Sequence, residues 1–142
     1  MDEETLTRLR YAISGLARQL GRDSPDEGMT PTQAVTLGAI AHRGPISLSR
    51  LARTEGLHAS LLSRIVRYLE RNELITRTQD PDDMRSHIVE ATAKGKETAA
   101  RIRNNRSAVL AEATRVLSEA EEQQVADALP ALEKLVVTLL AE

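Results

Sequence analysis

A stretch near the middle of the chain, residues 60–71, carries opposite chemistry on its two sides. On a helix that turns by about 100° per residue, its apolar residues fall in one arc and its hydroxyl and guanidinium groups in the opposing arc. The apolar arc holds Leu61, Leu62, Ile65, Val66 and Leu69, and the polar arc holds Ser60, Ser63, Arg64, Arg67 and Arg71. The pattern predicts a helix that packs on one side and offers hydroxyls and positive charge on the other. An ordinary surface helix with solvated charges is the alternative for this stretch taken alone.

A shorter helix and a tight turn are predicted just before this stretch. Ser47 is suited to cap the short helix, because its hydroxyl can accept from a backbone amide of the first turn. The buried side of that helix is Leu48, Leu51 and Ala52. Gly56 suits the turn because glycine tolerates positive φ, and Leu57 is expected to enter the core beneath it. The two helices and their turn form a helix-turn-helix unit.

A β-hairpin is predicted after the two-faced helix. Residues 74–78 and 87–90 are rich in β-branched side chains, and the connection between them holds turn residues. Arg85 lies near the tip of the hairpin, from which a guanidinium can enter a minor groove of DNA. Asp83 is expected to hold that guanidinium by a charge-assisted bond. A solvated turn without a function is the alternative.

A helix-turn-helix followed by such a hairpin is a winged helix-turn-helix, and here the chain resembles the multiple-antibiotic-resistance regulator (MarR) family of bacterial transcription factors. The resemblance is carried by Leu51-Ala52 with Gly56-Leu57, Ser63-Arg64-Ile65-Val66 with Leu69-Glu70, Leu74-Ile75-Thr76-Arg77, Asp80-x-x-Asp83-x-Arg85, and Ala91-Thr92-x-x-Gly95. It covers essentially the whole chain. The wing pattern with the Thr-x-x-Gly after it is specific, whereas many regulators share the helix-turn-helix part.

The chain departs from the family pattern at two positions. The family commonly has glycine just before the Leu-Ile of the first wing strand, and this chain has Asn72-Glu73. Asn72 is expected to end the helix there, since asparagine tolerates the left-handed conformation better than most residues. His58 occupies a position that often holds a capping serine, and imidazole is a poorer cap.

Charge is distributed unevenly along the chain, although its net value is only −2. Residues 42–106 hold 13 basic and 8 acidic side chains, whereas residues 1–41 hold 4 and 6, and residues 107–142 hold 2 and 7. DNA responds to the field within about a Debye length, roughly 10 Å at 0.1 M salt, so the basic middle permits DNA binding.

Composition excludes several classes of site. The chain has no cysteine, which excludes disulfides and thiol sensing, and with two Tyr and no Phe or Trp its core must be aliphatic. No apolar run approaches the ~20 residues of a membrane span, so we expect no membrane partner and a cytoplasmic location. No catalytic constellation, nucleotide loop or metal site is indicated, and an enzyme is not expected. A calcium loop at 80–83 lacks the following glycine, while a zinc site built from His42, His58 and His87 stays an unfavoured alternative.

The flanking segments are predicted to be long helices. The first, residues 4–21, has apolar residues at spacings of three and four, and a break rich in turn formers follows over 21–30. Thr30 and Pro31 are suited to begin a helix over 31–42 that should support the DNA-reading unit. Its apolar residues are Val35, Leu37, Ala39 and Ile40, and Ile46 is expected to add a short strand. Thr92 caps a helix to about Leu117, and Ser118 with Glu121 forms a capping box for the last helix. Pro130 is expected to kink or divide that helix.

The apolar stripes of the terminal helices exceed what one small domain can cover, and they imply a partner chain. In the resembled family these helices interlock in a dimer, so the expected dimer contacts are Leu6, Leu9, Ile13, Leu132, Val136 and Leu139. A monomeric bundle is the alternative. The expected organisation is one domain over 1–142, mainly α with a small β-wing, with dimerisation helices over 1–30 and 100–142 and a DNA-binding lobe over 31–98.

The resemblance implies a homodimeric transcription regulator, a repressor by expectation, that binds double-stranded DNA. Its expected DNA contacts are Ser60, Ser63, Arg64, Arg67, Arg77, Asp83, Arg85 and Ser86. Family members bind a small aromatic acid such as salicylate, or another lipophilic effector, between the dimer helices and the DNA-binding lobe, and no cofactor is expected. Arg8, Arg10, Tyr11 and Arg18 are candidates to meet such a ligand, although solvated charges explain them better. A winged helix that binds only protein, an activator and a nucleoid-type binder remain alternatives.

Overall fold

The computed structural model describes residues 1–22 and 28–141, and within them the chain forms six helices and a three-stranded sheet. Half of the expected break over 21–30, residues 23–27, lies outside the described residues, and α1 continues to Arg22. In chain order the elements are α1 (Glu3–Arg22), α2 (Pro31–Arg43), β1 (Ile46–Ser47), α3 (Leu48–Glu55), α4 (Ala59–Arg71), β2 (Ile75–Gln79), β3 (His87–Ala91), α5 (Ala93–Thr114) and α6 (Glu119–Ala141). The fold is thus mainly helical with a small antiparallel wing, as the sequence predicts.

Helix α2 begins where Thr30 and Pro31 predict. The Thr30 hydroxyl accepts from the backbone amide of Gln33, and the Gln33 side chain accepts in return from the amide of Thr30, at 3.3 and 2.9 Å. Pro31 occupies the first turn, where its missing N–H removes no intrahelical bond. The helix ends at Arg43, and Gly44 follows with φ of +73°.

The core lies within the helix-turn-helix and the wing. Its fully buried aliphatic side chains come from four different elements, so α2, α3, α4 and the sheet share one apolar interior: Leu37, Ile40, Leu51, Val66, Leu69 and Val89. Val35, which was expected to support this core from α2, is instead 49% exposed. Its side chain faces a cavity described below.

The sheet is antiparallel with strand order β1-β3-β2, which puts the short strand at Ile46 on the edge away from β2. Ile46 pairs with Val89, and Ile75 pairs with Ala91. Strand β2 begins one residue later than predicted, because the N–H of Leu74 donates back to the carbonyl of Leu69 in α4 at 3.0 Å. The Leu74 carbonyl accepts from the amide of Thr92, which directly follows β3, also at 3.0 Å.

Asn72 ends α4 as its C-cap, as expected, but the left-handed residue before the wing is Glu73 and not Asn72. Glu73 has φ of +58°, whereas Asn72 has φ of −90° and ψ of 9°. The Asn72 side-chain amide donates to the carbonyl of Tyr68 at 2.8 Å, which continues the helical turn through position 72. The reversal therefore falls on the residue that directly precedes Leu74.

The Thr-x-x-Gly sequence joins α5 to the wing. The Thr92 hydroxyl accepts from the amide of Gly95 at 3.0 Å and donates to the carbonyl of Glu73 at 2.7 Å. The Thr92 hydroxyl therefore caps α5 and also hydrogen-bonds the chain reversal at Glu73. The helix runs to Thr114, three residues short of the predicted end at Leu117.

Helix α6 begins with the predicted capping box and passes Pro130 without being divided. The Ser118 amide and hydroxyl both lie 2.8 Å from the Glu121 carboxylate. Hydrogen bonds from the Ser118 backbone and then from its side chain hold the pKa of Glu121 below its ordinary value. No helix in the described residues is both long enough and apolar enough to cross a membrane.

Candidate nucleic-acid interface

Helix α4 has the two faces that its sequence predicts. Leu62, Ile65, Val66 and Leu69 are buried, and Leu61 is half-buried against the same core. The expected DNA-contact residues of the other arc are all exposed: Ser60, Ser63, Arg64 and Arg67, with Arg71 beside them. The packed side anchors the helix, so its hydroxyl and guanidinium side chains face away from the core.

The turn before α4 sets the direction of this helix. Gly56 adopts the left-handed conformation with φ of +61°, and the Leu57 amide donates to the carbonyl of Ala52 at 2.9 Å. Leu57 packs against the core but is only half-buried. His58 is the cap of α4 and makes no side-chain capping bond, in agreement with its expected weakness as a cap.

The tip of the wing is shaped by backbone hydrogen bonds. The Asp80 amide donates to the Ser86 carbonyl at 2.9 Å, and the Ser86 amide donates to the Asp83 carbonyl at 2.8 Å. The Asp83 carboxylate accepts from the backbone amide of Arg85 at 3.0 Å. The structure does not show the expected bond from Asp83 to the Arg85 guanidinium, because this carboxylate bonds the main chain two residues on. Asp83 thereby fixes the turn, and the exposed Arg85 side chain extends from it.

Arg77 joins the wing to the two-faced helix. Its guanidinium lies 3.4 Å from the carboxylate of Glu70, and both side chains are about two-fifths exposed. An ion pair this exposed contributes little stability. The pair nevertheless connects Arg77 of β2 to Glu70 of α4.

The start of α4 and the wing tip border one recess of about 390 Å³. Ser63 lines it from α4, and Asp83, Arg85 and Ser86 line it from the wing. The tertiary structure thus brings these four predicted residues to one concave surface. Ser60, Arg64, Arg67 and Arg77 do not line the recess, and the first three lie on the exposed side of α4 that continues from it.

The residues expected to form a dimer are largely solvent-exposed in the single chain. Exposed fractions are 51% for Leu6, 49% for Ile13, 57% for Val136 and 71% for Leu139, while Leu9 and Leu132 are half-buried. Other large apolar side chains of α1 and α6 are exposed too, including Leu16, Val125, Leu129 and Val137. Two helices therefore present apolar faces that the described chain does not cover.

A second cavity, also of about 390 Å³, lies where α1, α2 and α5 meet the helix-turn-helix. Leu20, Val35 and Leu57 give it apolar walls, and among the described residues its charged side chains are Glu55 at the end of α3 and Arg106 on α5. Sequence reasoning missed both charges because no local motif marks them. The α1 residues that it named for a ligand do not line this cavity, and Arg10 lies over the Tyr11 ring instead, 4.9 Å from its centroid.

Arg50 and Arg53 add positive charge that the sequence reasoning also passed over. They lie on the exposed side of α3 and line a shallow recess with Val137 and Leu140 of α6. Across residues 1–22 and 28–141, no three His, Asp or Glu side chains cluster in a way that could hold a metal ion.

Comparison with known proteins agrees with this architecture. The MarR family model matches residues 29–87, from just before α2 to the start of β3. The chain is 33% identical over 114 residues to the HTH-type transcriptional regulator YkoM of Bacillus subtilis (strain 168), covering 80% of this chain and 74% of that protein.

Solved structures share the fold over nearly the whole chain. A crystal structure of MarR superposes with a TM-score of 0.80 at 25% identity, covering 92% of this chain and 98% of that one. The structure of BpsR from Bordetella bronchiseptica superposes with a TM-score of 0.75 at 21% identity, covering 92% and 99%. With its two-faced α4, its wing and these relatives, the chain belongs to the MarR family of DNA-binding transcriptional regulators.

Proposed function

We propose that the chain acts as a homodimeric, sequence-specific repressor of nearby efflux, detoxification or stress genes. It leaves a pseudo-palindromic operator when a small aromatic or lipophilic ligand binds. The observation that carries this proposal is α4, whose buried face anchors it in the core while Ser60, Ser63, Arg64 and Arg67 stay exposed. Because operator DNA is its partner, the protein acts in the cytoplasm.

Each exposed group of α4 suits an element of the DNA major groove. Arginine can grip guanine edges or phosphates with two hydrogen bonds, and serine can donate to or accept from bases and phosphates. Arg85 extends from a wing that borders the same recess as Ser63, so α4 and the wing can contact one duplex together. In this proposal α4 reads the major groove while Arg85 enters the adjacent minor groove.

Dimerisation is supported by the uncovered apolar faces of α1 and α6. A second copy would bury the apolar side chains of Leu6, Ile13, Val136 and Leu139. Removing this apolar surface from water would favour association. Two copies related by a twofold axis would present two α4 helices. Such dimers read half-sites about one helical turn apart, roughly 10 bp.

The effector is proposed to occupy the cavity between α1, α2, α5 and Leu57. The cavity lies between α1, an expected dimerisation helix, and Leu57 in the turn before α4. A ligand there would therefore contact both the dimerisation helix and that turn. BpsR, which shares the fold, has its DNA binding regulated by 6-hydroxynicotinic acid. By analogy, a ring-shaped acid in this cavity would favour an arrangement of the two α4 helices that no longer matches the operator.

The test is a fluorescence anisotropy titration with the DNA that flanks the protein's own gene. It is run with excess competitor DNA at two salt concentrations, with and without salicylate. We expect tight binding that survives the competitor, weakens with salt because phosphate contacts release counterions, and is lost when salicylate is added.

Each other outcome would contradict one part of the proposal. Binding without release would exclude salicylate as the ligand, and binding that is lost with competitor would exclude sequence-specific recognition. Failure to bind any DNA favours the rival function, a winged helix that binds protein only. Sedimentation of the same sample tests the dimer, and a monomer at working concentration would overturn it.

A further inference from the structure

His87 is the first residue of β3, and it continues the inward-facing side of that strand. Residues two apart on a strand face the same way, and Val89 and Ala91 are both buried. Position 87 therefore faces the helix-turn-helix, but it lies beyond the core, at the end of the strand next to the wing tip. The residue is half-buried there, and the neutral Gln79 pairs with it on β2.

The imidazole of His87 lines the recess of about 390 Å³ between the wing and the helix-turn-helix. Three hydroxyls line the same recess from three parts of the chain: Ser49 from α3, Ser63 from α4 and Ser86 from the wing. Hydroxyls donate hydrogen bonds to phosphate oxygens in many protein–DNA interfaces, and a protonated imidazole donates through both of its nitrogens. The recess thus combines side chains that suit one phosphate group.

The charged groups around the imidazole leave it open to an incoming anion. Asp83 and Arg85 share the recess with it, and the Asp83 carboxylate accepts from the Arg85 amide at 3.0 Å. The Asp80 carboxylate accepts from the amide of Asp82 at 2.9 Å. Among the described residues, α3 and α4 contribute only hydroxyl and apolar side chains to this recess. Both carboxylates are therefore held by main-chain amides, and neither is bonded to the imidazole.

We propose that this recess holds one phosphate of the DNA backbone and that protonated His87 binds it. The inference rests on the proposed function, because it assumes that α4 and the wing contact one duplex. The serine hydroxyls can donate at any pH, whereas an imidazole gains its positive charge between about pH 8 and pH 5. Operator binding therefore takes up a proton at His87, and it is tighter in mildly acidic than in mildly alkaline solution.

The direction of this effect follows from linkage. A phosphate next to an imidazole favours the protonated ring, so DNA binding and protonation strengthen one another. The protonated ring forms a charge-assisted hydrogen bond, which is stronger than the bond from a neutral ring. In the proposed dimer two such recesses meet one operator, so the effect acts twice.

Anisotropy titrations of the full chain with the DNA that flanks its own gene test the proposal. They are run at about pH 6 and about pH 8, a range that spans the ordinary titration of histidine. We expect the wild type to bind roughly tenfold more tightly at the lower pH, because hydrogen bonds to charged groups are the stronger ones. The slope of log affinity against log salt should also be steeper there, by about 0.9 for each added phosphate contact.

Variants of the histidines assign the effect to one residue. His87→Gln keeps a hydrogen-bond donor but cannot be charged, so it should lose the pH dependence, and His87→Lys should bind tightly at both pH values. The control is His42→Gln, which lines a different cavity and should respond to pH as the wild type does. A response that survives in His87→Gln, or that is lost in His58→Gln instead, would overturn the proposal. Thermal melts check that each variant is folded.

Operators with one neutral methylphosphonate locate the phosphate. At about pH 6, where the imidazole carries charge, one such position should weaken the wild type more than it weakens His87→Gln. If every position affects the two proteins equally, His87 does not bind a phosphate.

The same titrations separate this inference from the proposed function. If the operator is bound equally tightly at both pH values, the regulator stands and the role of His87 is wrong. If no DNA is bound at either pH, the proposed function is wrong and this inference with it.

Discussion

Gly95 at the start of α5 lies directly against the carbonyl of Leu74, so a Cβ on this residue would be 1.9 Å from the Leu74 oxygen. The obstacle is backbone, and the Thr92 amide donates to that same carbonyl at 3.0 Å, so neither side can move aside easily. The glycine of Thr-x-x-Gly is thus required by the close approach of α5 to the wing.

Gly95→Ala should lower the free energy of unfolding by about 1–3 kcal/mol, because the added methyl forces α5 away from Leu74. Urea denaturation followed by circular dichroism measures the change. The matched control is Gly38→Ala in α2, where a Cβ meets nothing within 4 Å. That control should stabilise by roughly 0.5–1 kcal/mol through helix propensity. Equal stability of the Gly95 variant and the wild type would refute the close contact.

Glu73→Gly should stabilise the protein by about 0.5–1 kcal/mol. The residue has φ of +58°, which costs a side-chain-bearing residue more than it costs glycine, although glycine also gains entropy in the unfolded chain. Chemical denaturation gives the difference. Glu97→Gly, within α5, is the control and should destabilise by roughly 1 kcal/mol. Destabilisation by both variants would mean that position 73 is not left-handed in solution.

Leu69→Ala should cost about 2–5 kcal/mol of stability, because its fully buried side chain fills the core under α4 and leaves a cavity when truncated. Leu61→Ala on the same helix is half-buried and should cost less. Thermal or urea unfolding compares the two variants. An unchanged melting temperature for Leu69→Ala would show that α4 packs through another face.

Arg85→Ala should weaken operator binding by about 1–3 kcal/mol without unfolding the protein, since the side chain is exposed at the wing tip. Anisotropy titrations measure the loss, and circular dichroism checks the fold. Arg115→Ala, which removes an exposed cation near the end of α5, should bind as the wild type does. If the two variants bind equally well, the wing does not contact DNA.

Glu121→Gln should remove a contribution to stability that depends on pH. Because the pKa of Glu121 is lowered in the folded chain, the contribution is present at neutral pH and is lost as pH falls through the folded pKa. The melting temperatures of wild type and variant should therefore differ at neutral pH and converge in acid. Glu122→Gln, in the same first turn of α6, controls for the loss of a charge near the helix start. A difference that persists in acid would exclude the capping carboxylate as its cause.

The parts of the interface that sequence predicted correctly are local. The buried and exposed faces of α4 follow from its 3.6-residue periodicity, and the caps at Thr30, Thr92 and Ser118 follow from side chains that bond within one turn. One error arose where two neighbouring residues could each take the same conformation. Asn72 has the better intrinsic tolerance of positive φ, but its side chain bonds Tyr68 and the reversal moves to Glu73.

At the wing tip, the sequence likewise did not determine which group the Asp83 carboxylate bonds. Its charge and its spacing from Arg85 were compatible with a bond to the guanidinium or with a bond to the main chain, and spacing alone does not choose between them. The tight turn brings the Arg85 amide to the carboxylate at 3.0 Å. That closure also depends on the pairing of β2 with β3, which positions both ends of the connection.

The sequence by itself determined the helices, the turn, the wing and the character of each face of α4, because periodicity and capping act over a few residues. Only the tertiary structure decided which residues that are far apart in the sequence come into contact. Glu55 and Arg106 share a cavity, and Gly95 touches Leu74, through the packing of α5 on α2 and the wing. The physical reason is that such contacts depend on how whole elements pack, and residues far apart in the chain leave no local pattern that records their meeting.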